Sequence, residues 1–158
     1  MADNLESLHQ HLSSIRPQLG GFWISKNSGY EQALCEQAGF LCQKSRYWDA
    51  KFQDYFLELK KGTSIWIDLV RYAEIILSKN AEAGRETVTI FCVPNLDKTT
   101  IQKLVVVPTH RLIGTMNLTK DRAQFLLELG EGLPRSLNAQ ASLTLKDVSS
   151  LASFIIGE

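Results

Sequence analysis

Nowhere does the chain carry the run of about 18 consecutive apolar residues that a bilayer-crossing helix requires, so no membrane partner is expected. Its first residues, Met-Ala-Asp-Asn-Leu-Glu-Ser-Leu-His, have neither the basic nor the apolar stretch of a secretory leader, which gives the expectation of an intracellular, cytoplasmic protein. Cysteine is scarce: Cys35, Cys42 and Cys92 are odd in number, and no two are close enough in sequence for a zinc ribbon or a redox pair. Buried, reduced thiols are the expectation for all of them. Net charge is lacking as well, because 17 basic and 17 acidic residues cancel. That argues against a protein working by long-range electrostatic capture of nucleic acid, although Lys44, Arg46, Lys51, Lys60 and Lys61 fall in one short stretch. No repeat, low-complexity tract or Pro/Gly/Ser-rich linker divides the chain. With 158 residues, 44% hydrophobic and 22% charged, it reads as one globular domain spanning 1–158.

What is present is periodicity that changes along the chain. Leu5, Leu8, Leu12 and Ile15 recur at helical intervals and predict an amphipathic helix ending before Pro17. A second helix is predicted from about Ser28 to Ala38, with Tyr30, Ala33, Leu34 and Ala38 inward and Gly39 as terminator. Phe40 to Lys44, Ser45 to Asp49 and Asp54 to Lys61 read as strands, the last two joined by a tight connection at Ala50 to Gln53. Beyond Gly62, Ile65, Leu69, Tyr72 and Ile76 form one apolar stripe and Trp66, Val70, Ala73 and Leu77 another, which predicts a largely buried helix capped by Thr63 or Ser64. Thr87 to Val93 is a β-branched strand, Lys103 to Val107 another, continued after Pro108 by Leu112 to Met116. Helices are predicted over Lys120 to Leu129 and Lys146 to Ile156, with a loop through Gly130, Gly132 and Pro134. The order implies an α/β (α+β) domain with a central mixed sheet flanked by helices.

Within this pattern Asp49 is followed, after eight residues, by Glu58-Leu59-Lys60. On an extended strand Glu58 and Lys60 share one face while Leu57 and Leu59 face the opposite way. Two acids and an ammonium delivered to one spot are the groups that a divalent cation and a phosphodiester require. The cation takes carboxylate oxygens, and a positive side chain balances charge building on the phosphate. Asp54 competes with Asp49 for the first acidic position, but it stands only four residues before Glu58, which leaves too little chain for a hairpin. The plain alternative is a cross-strand salt bridge on a solvated face, worth about 0–1 kcal/mol.

This arrangement resembles the PD-(D/E)XK phosphodiesterases, the superfamily of restriction-endonuclease-like fold. Asp49, Glu58 and Lys60 match its acidic residue and Glu-x-Lys element; Gly29-Tyr30-Glu31, with Leu34 and Ala38-Gly39-Phe40 after it, looks like its first core helix. The similarity covers about residues 28–95 and leaves 96–158 as a C-terminal extension. Trp48 stands where the motif's proline would be. The resemblance implies an αβββαβ core and an Mg²⁺-dependent nuclease, with Mn²⁺ as substitute, hydrolysing DNA in preference to RNA and cutting internally. Asp49 and Glu58 would bind the metal together with the Leu59 backbone carbonyl, Glu31 would reach a metal-bound water or a second ion, and Lys60 would orient the attacking water. Cutting both strands of a duplex would call for a homodimer. The alternative is a nuclease-fold domain that serves, without activity, as a binding or assembly module.

Other residues favour plain readings. His9 and His11 lie two apart on a helix and diverge, so they make a poor metal pair. His110 falls in an expected polar turn; Lys26, Asn27 and Ser28 either offer donors to a phosphate at the N-terminus of the second helix or, equally well, Asn27 or Ser28 only caps it; and Trp23, Trp48 and Trp66 are expected core residues, Trp48 beside Asp49 least clearly so.

Overall fold

The computed structural model describes residues 5–17, 30–42, 48–61, 64–68, 87–96, 100–115, 120–130 and 140–157. The apolar positions spaced for one helical face do form it: α1 (Glu6–Ile15) buries Leu8, Leu12 and Ile15. The second helix, α2 (Tyr30–Ala38), buries Leu34, Cys35 and Ala38 and ends at Gly39, whose φ of +72° is a left-handed conformation that glycine adopts without strain. Lys26, Asn27 and Ser28 lie outside the described residues, as does Trp23.

Strands follow from alternation. β1 (Leu41–Cys42), β2 (Ala50–Phe52) and β3 (Tyr55–Lys61) form an antiparallel meander. β3 then pairs in parallel with β5 (Thr87–Pro94), which pairs antiparallel with β6 (Ile101–Pro108), and β8 (Phe154–Gly157) closes the far edge against β6. The sheet is mixed and six-stranded, in the order β1-β2-β3-β5-β6-β8. Because β3 and β5 are parallel, the chain between them must cross over rather than turn back.

The two faces of this sheet bury different halves of each strand. Leu57 and Leu59 of β3, Val88 and Ile90 of β5, and Leu104 and Val106 of β6 pack against α1 and α2. The alternate residues, Phe91, Val93, Val105 and Val107, pack against Leu112 of α3 (Thr109–Thr115) and Val148 of α5 (Leu145–Leu151). A helix α4 (Lys120–Gly130) precedes α5 in the chain. The result is a helix–sheet–helix arrangement of α+β class. None of the described helices is long and apolar enough to cross a membrane.

Several expectations are corrected. Ser64–Asp68, the predicted start of a helix, is strand β4, antiparallel to β7 (Gln140–Thr144) in a separate two-stranded sheet. Ser-Ile-Trp-Ile-Asp also alternates with period two, and a distant partner strand decided between the periods. The remainder of that predicted helix lies outside the described residues, as does the loop through Gly132 and Pro134. The strand expected over Leu112 to Met116 and the polar turn at Thr109-His110-Arg111 are instead helix α3, begun directly after Pro108 and buried through Leu112; Met116 is outside the described residues. The last predicted helix stops at Leu151, where Phe154–Gly157 leaves it to pair with β6. The hairpin turn falls at Gln53 and Asp54 rather than at Ala50 to Gln53, with Gln53 at φ +52°. β2 begins at Ala50, so Trp48 and Asp49 stand just ahead of it; residues 43–47 are outside the described set. Cys35 and Cys92 are buried as expected, but Cys42 is exposed on edge strand β1.

Candidate functional site

Asp49 lies at a bend immediately before β2. Its backbone N–H donates to the Leu57 carbonyl at 2.8 Å, and its carboxylate Oδ2 accepts the Leu59 N–H, also at 2.8 Å. The carboxylate thus stands where a ladder carbonyl would be, at the point where β2 begins. Ala50 pairs with Leu57 and Lys51 with Phe56, so the regular ladder starts at Ala50, and the Asp49 N–H turns to the carbonyl of Leu57, the partner of Ala50, rather than continuing that register. In a strand the N–H and C=O of one residue leave the same edge. The Leu59 carbonyl therefore points toward the β2 side, as its N–H does.

Glu58 alternates with Leu57 and Leu59, so it projects from the face opposite α1 and α2. It is nonetheless only 2% exposed. Lys60, two residues on, shares that face: its Nζ is 3.4 Å from Glu58 Oε1, with side-chain exposure of 24% against 3% for the glutamate. Removing a carboxylate from water is costly unless a positive or hydrogen-bonding group compensates, and Lys60 supplies that compensation.

The surroundings are polar in a defined direction. Thr89 of β5 pairs with Glu58, Thr87 pairs with Phe56, and the Thr89 and Thr109 hydroxyls lie 2.8 Å apart. Glu58, Thr87, Thr89 and Thr109 are the buried polar side chains among the described residues, so the interior polarity gathers beside this site. On the opposite flank, Trp48 stacks on Phe56 with ring centroids 4.0 Å apart, and Lys51 Nζ lies 5.7 Å from the Phe56 centroid. Phe56 shares the face of Glu58 and Lys60 by alternation, a signal that was readable in the sequence. The position of Trp48 was not, because a bend rather than strand geometry sets it.

The structure thus ties the Asp49 carboxylate to the Leu59 N–H and the Glu58 carboxylate to the Lys60 ammonium, with the Leu59 carbonyl on the β2 side of β3. Glu31 lies in the first turn of α2, a helix that packs on the Leu57/Leu59 face, and its own side chain is outside the described residues. Asp54 is exposed in the hairpin turn. The α1 histidines diverge: His9 stacks on Phe154, while His11 stacks on Phe52 and hydrogen-bonds with the Ala38 carbonyl at the end of α2. Among the described residues, no three His, Cys, Asp or Glu side chains gather as a metal-binding group. The oxygen set at the hairpin is two carboxylates and a backbone carbonyl.

Set against models of known families, curated proteins and solved structures, the chain matches none.

Proposed function

We propose that this chain is an Mg²⁺-dependent nuclease of restriction-endonuclease-like type, hydrolysing phosphodiester bonds in DNA. The observation that carries the proposal is the buried Glu58 carboxylate with Lys60 3.4 Å from it on β3, beside Asp49, whose carboxylate accepts the N–H of the intervening Leu59 at 2.8 Å. Although strand β4 stands where the resemblance implies the start of a helix, the meander β1–β3 and the parallel pairing of β3 with β5 support the proposal. So does the energetics of Glu58. A well-packed apolar side chain is often as stable as a buried ion pair or more so, which makes a chemical use the better account of a carboxylate at this depth.

The donor set fits a hard cation. Mg²⁺ is held by one or two carboxylates while keeping several waters, and here the carboxylates of Asp49 and Glu58 and the Leu59 carbonyl would hold it. When bound, it supplies Lewis-acid neutralisation of the phosphate and a water of lowered pKa. The chain's own groups do the rest. Lys60 offers an ammonium that orients the incoming water and balances negative charge around it, and Asp49 is kept in place by the Leu59 N–H. Glu31, in the first turn of α2, would have to approach from the side of the Leu57/Leu59 face.

A second reading, an inactive nuclease-fold module for binding or assembly, is favoured by the use of Asp49 Oδ2 to complete the strand ladder. Plasmid cleavage separates the two. With Mg²⁺, the wild-type protein nicks or linearises DNA, chelator stops it, and Asp49→Ala and Lys60→Ala each abolish it with the circular dichroism spectrum unchanged. Absence of cleavage by folded wild-type protein with Mg²⁺ or Mn²⁺, on DNA and RNA alike, rules the nuclease out in favour of the module.

A further inference from the structure

We infer that the Trp48–Phe56 pair, flanked by Lys51, is a base-stacking platform that directs single-stranded DNA to the Asp49–Glu58–Lys60 site. The inference rests on the nuclease reading for what happens at that site, but not for the binding itself.

The hairpin supplies the geometry. Along β3, Phe56, Glu58 and Lys60 leave the same face at steps of about 6.8 Å, twice the strand rise. An aromatic ring thus sits one such step from the acid of the site, a spacing comparable to one nucleotide of an extended strand. Lys51 is the cross-strand partner of Phe56, and Asp49, just ahead of β2, bonds to Leu57 and Leu59 of β3, so both aromatic ring and cation lie on the same ribbon as the acids. The bend at Asp49 carries Trp48 onto Phe56, with the ring planes 22° from parallel at 4.0 Å.

Three features make this pair unlike a core contact. Trp48, Phe56 and Lys51 all remain partly exposed, and neither ring belongs to the two apolar clusters that fill the molecule. Among the described residues, the helices on this face pack on residues of β5 and β6, and neither ring is among those they pack on. The cation beside the rings is the group that a phosphate backbone seeks, while the rings offer a π surface to any base. A duplex hides its base faces in the stack, so the platform serves only unpaired nucleotides. The lack of net charge fits the same occupant, since a strand held by stacking depends less on a broad positive field than a duplex held by its phosphates.

The test is binding of a fluorescent single-stranded DNA oligonucleotide, and of its duplex, to the full chain in chelator, so that no cleavage intervenes. Tighter binding of the single strand is expected, with quenching of tryptophan emission. Trp48→Ala should weaken it by about 5- to 150-fold, the range for loss of one base–aromatic stack, and Trp48→Phe should retain most of it while losing the quenching. Duplex affinity should be the same in all three proteins. Equal affinity of the wild type for both forms, or single-strand binding unchanged in Trp48→Ala, overturns the inference. Should Asp49→Ala abolish cleavage while Trp48→Ala binds normally, the platform fails and the nuclease stands. If single-strand binding depends on Trp48 in a protein that cleaves nothing, the reverse holds.

Discussion

Replacing Lys60 by methionine isolates the electrostatics of the site from its shape, because the side chain keeps its length and loses its charge. The Glu58 carboxylate, at 3% side-chain exposure, is then left without the ammonium 3.4 Å away. Breaking a fully buried pair from one side costs about 3–5 kcal/mol, whereas exposed pairs are worth about 0.2–1 kcal/mol. Lys60 at 24% exposure lies between the two, since water enters where the ammonium was. A loss of about 1–3 kcal/mol follows, which at this chain length lowers the melting temperature by roughly 2–12 °C. Lys60→Met also leaves the Glu58 carboxylate without its cation, so Mg²⁺ should now stabilise the variant more than the wild type. Mg²⁺ at a hundred times its dissociation constant returns about 2.7 kcal/mol. Paired substitution Glu58→Gln/Lys60→Met removes the stranded charge, recovers most of the loss and abolishes the response to Mg²⁺. The measurement is thermal unfolding of the three proteins with Mg²⁺ or with chelator. If Lys60→Met melts with the wild type and ignores Mg²⁺, the ammonium is not what sustains the buried carboxylate and the electrostatic account of the site is wrong.

Two further predictions concern the elements that hold the frame. Gly157 has φ +92°, and a Cβ there would lie 2.5 Å from the Gln102 carbonyl oxygen and 3.1 Å from Lys103 Cα; Gly157→Ala should therefore detach β8 from β6 and cost about 1–3 kcal/mol, seen as a lower urea midpoint and faster hydrogen exchange along Ile155 and Ile156, and an unchanged midpoint would refute the clash. At the start of α5, hydrogen bonds from the Thr144 hydroxyl and backbone N–H hold the Asp147 carboxyl below the usual carboxylate range. A depressed folded-state pKa contributes stability that is full above the unfolded value and is lost as pH falls through the folded one, so wild-type stability should drop more steeply below about pH 4 than that of Thr144→Val, and parallel pH profiles would count against the capping box.

How far the fold could be read depended on whether one period dominated a segment. Leu5, Leu8, Leu12 and Ile15 permit only a helix, and Thr87 to Val93 only a strand, and both were legible from spacing and β-branching. Ser64–Asp68 satisfied two periods, and only its pairing with Gln140–Thr144 made it a strand. Residues 154–157 likewise followed a helix closely enough to read as its continuation, until the open edge of β6 gave them a partner. Pro108 was legible as a break, but not that helix α3 would start at the next residue, because that depended on apolar positions of β5 and β6 offering Leu112 a surface.

At the site, the alternation of Glu58 and Lys60 with Leu57 and Leu59 is a local property of an extended strand, and one chain segment determines it. What only the assembled molecule decided is distance and depth: that Asp49 hands its carboxylate to Leu59, that Glu58 is enclosed beside Thr89 and Thr109, and that Trp48 bends back onto Phe56. The reason is physical. Side-chain direction follows from backbone geometry within a few residues, whereas burial and register are set by strands and helices far away in the chain, whose pairing no local pattern encodes.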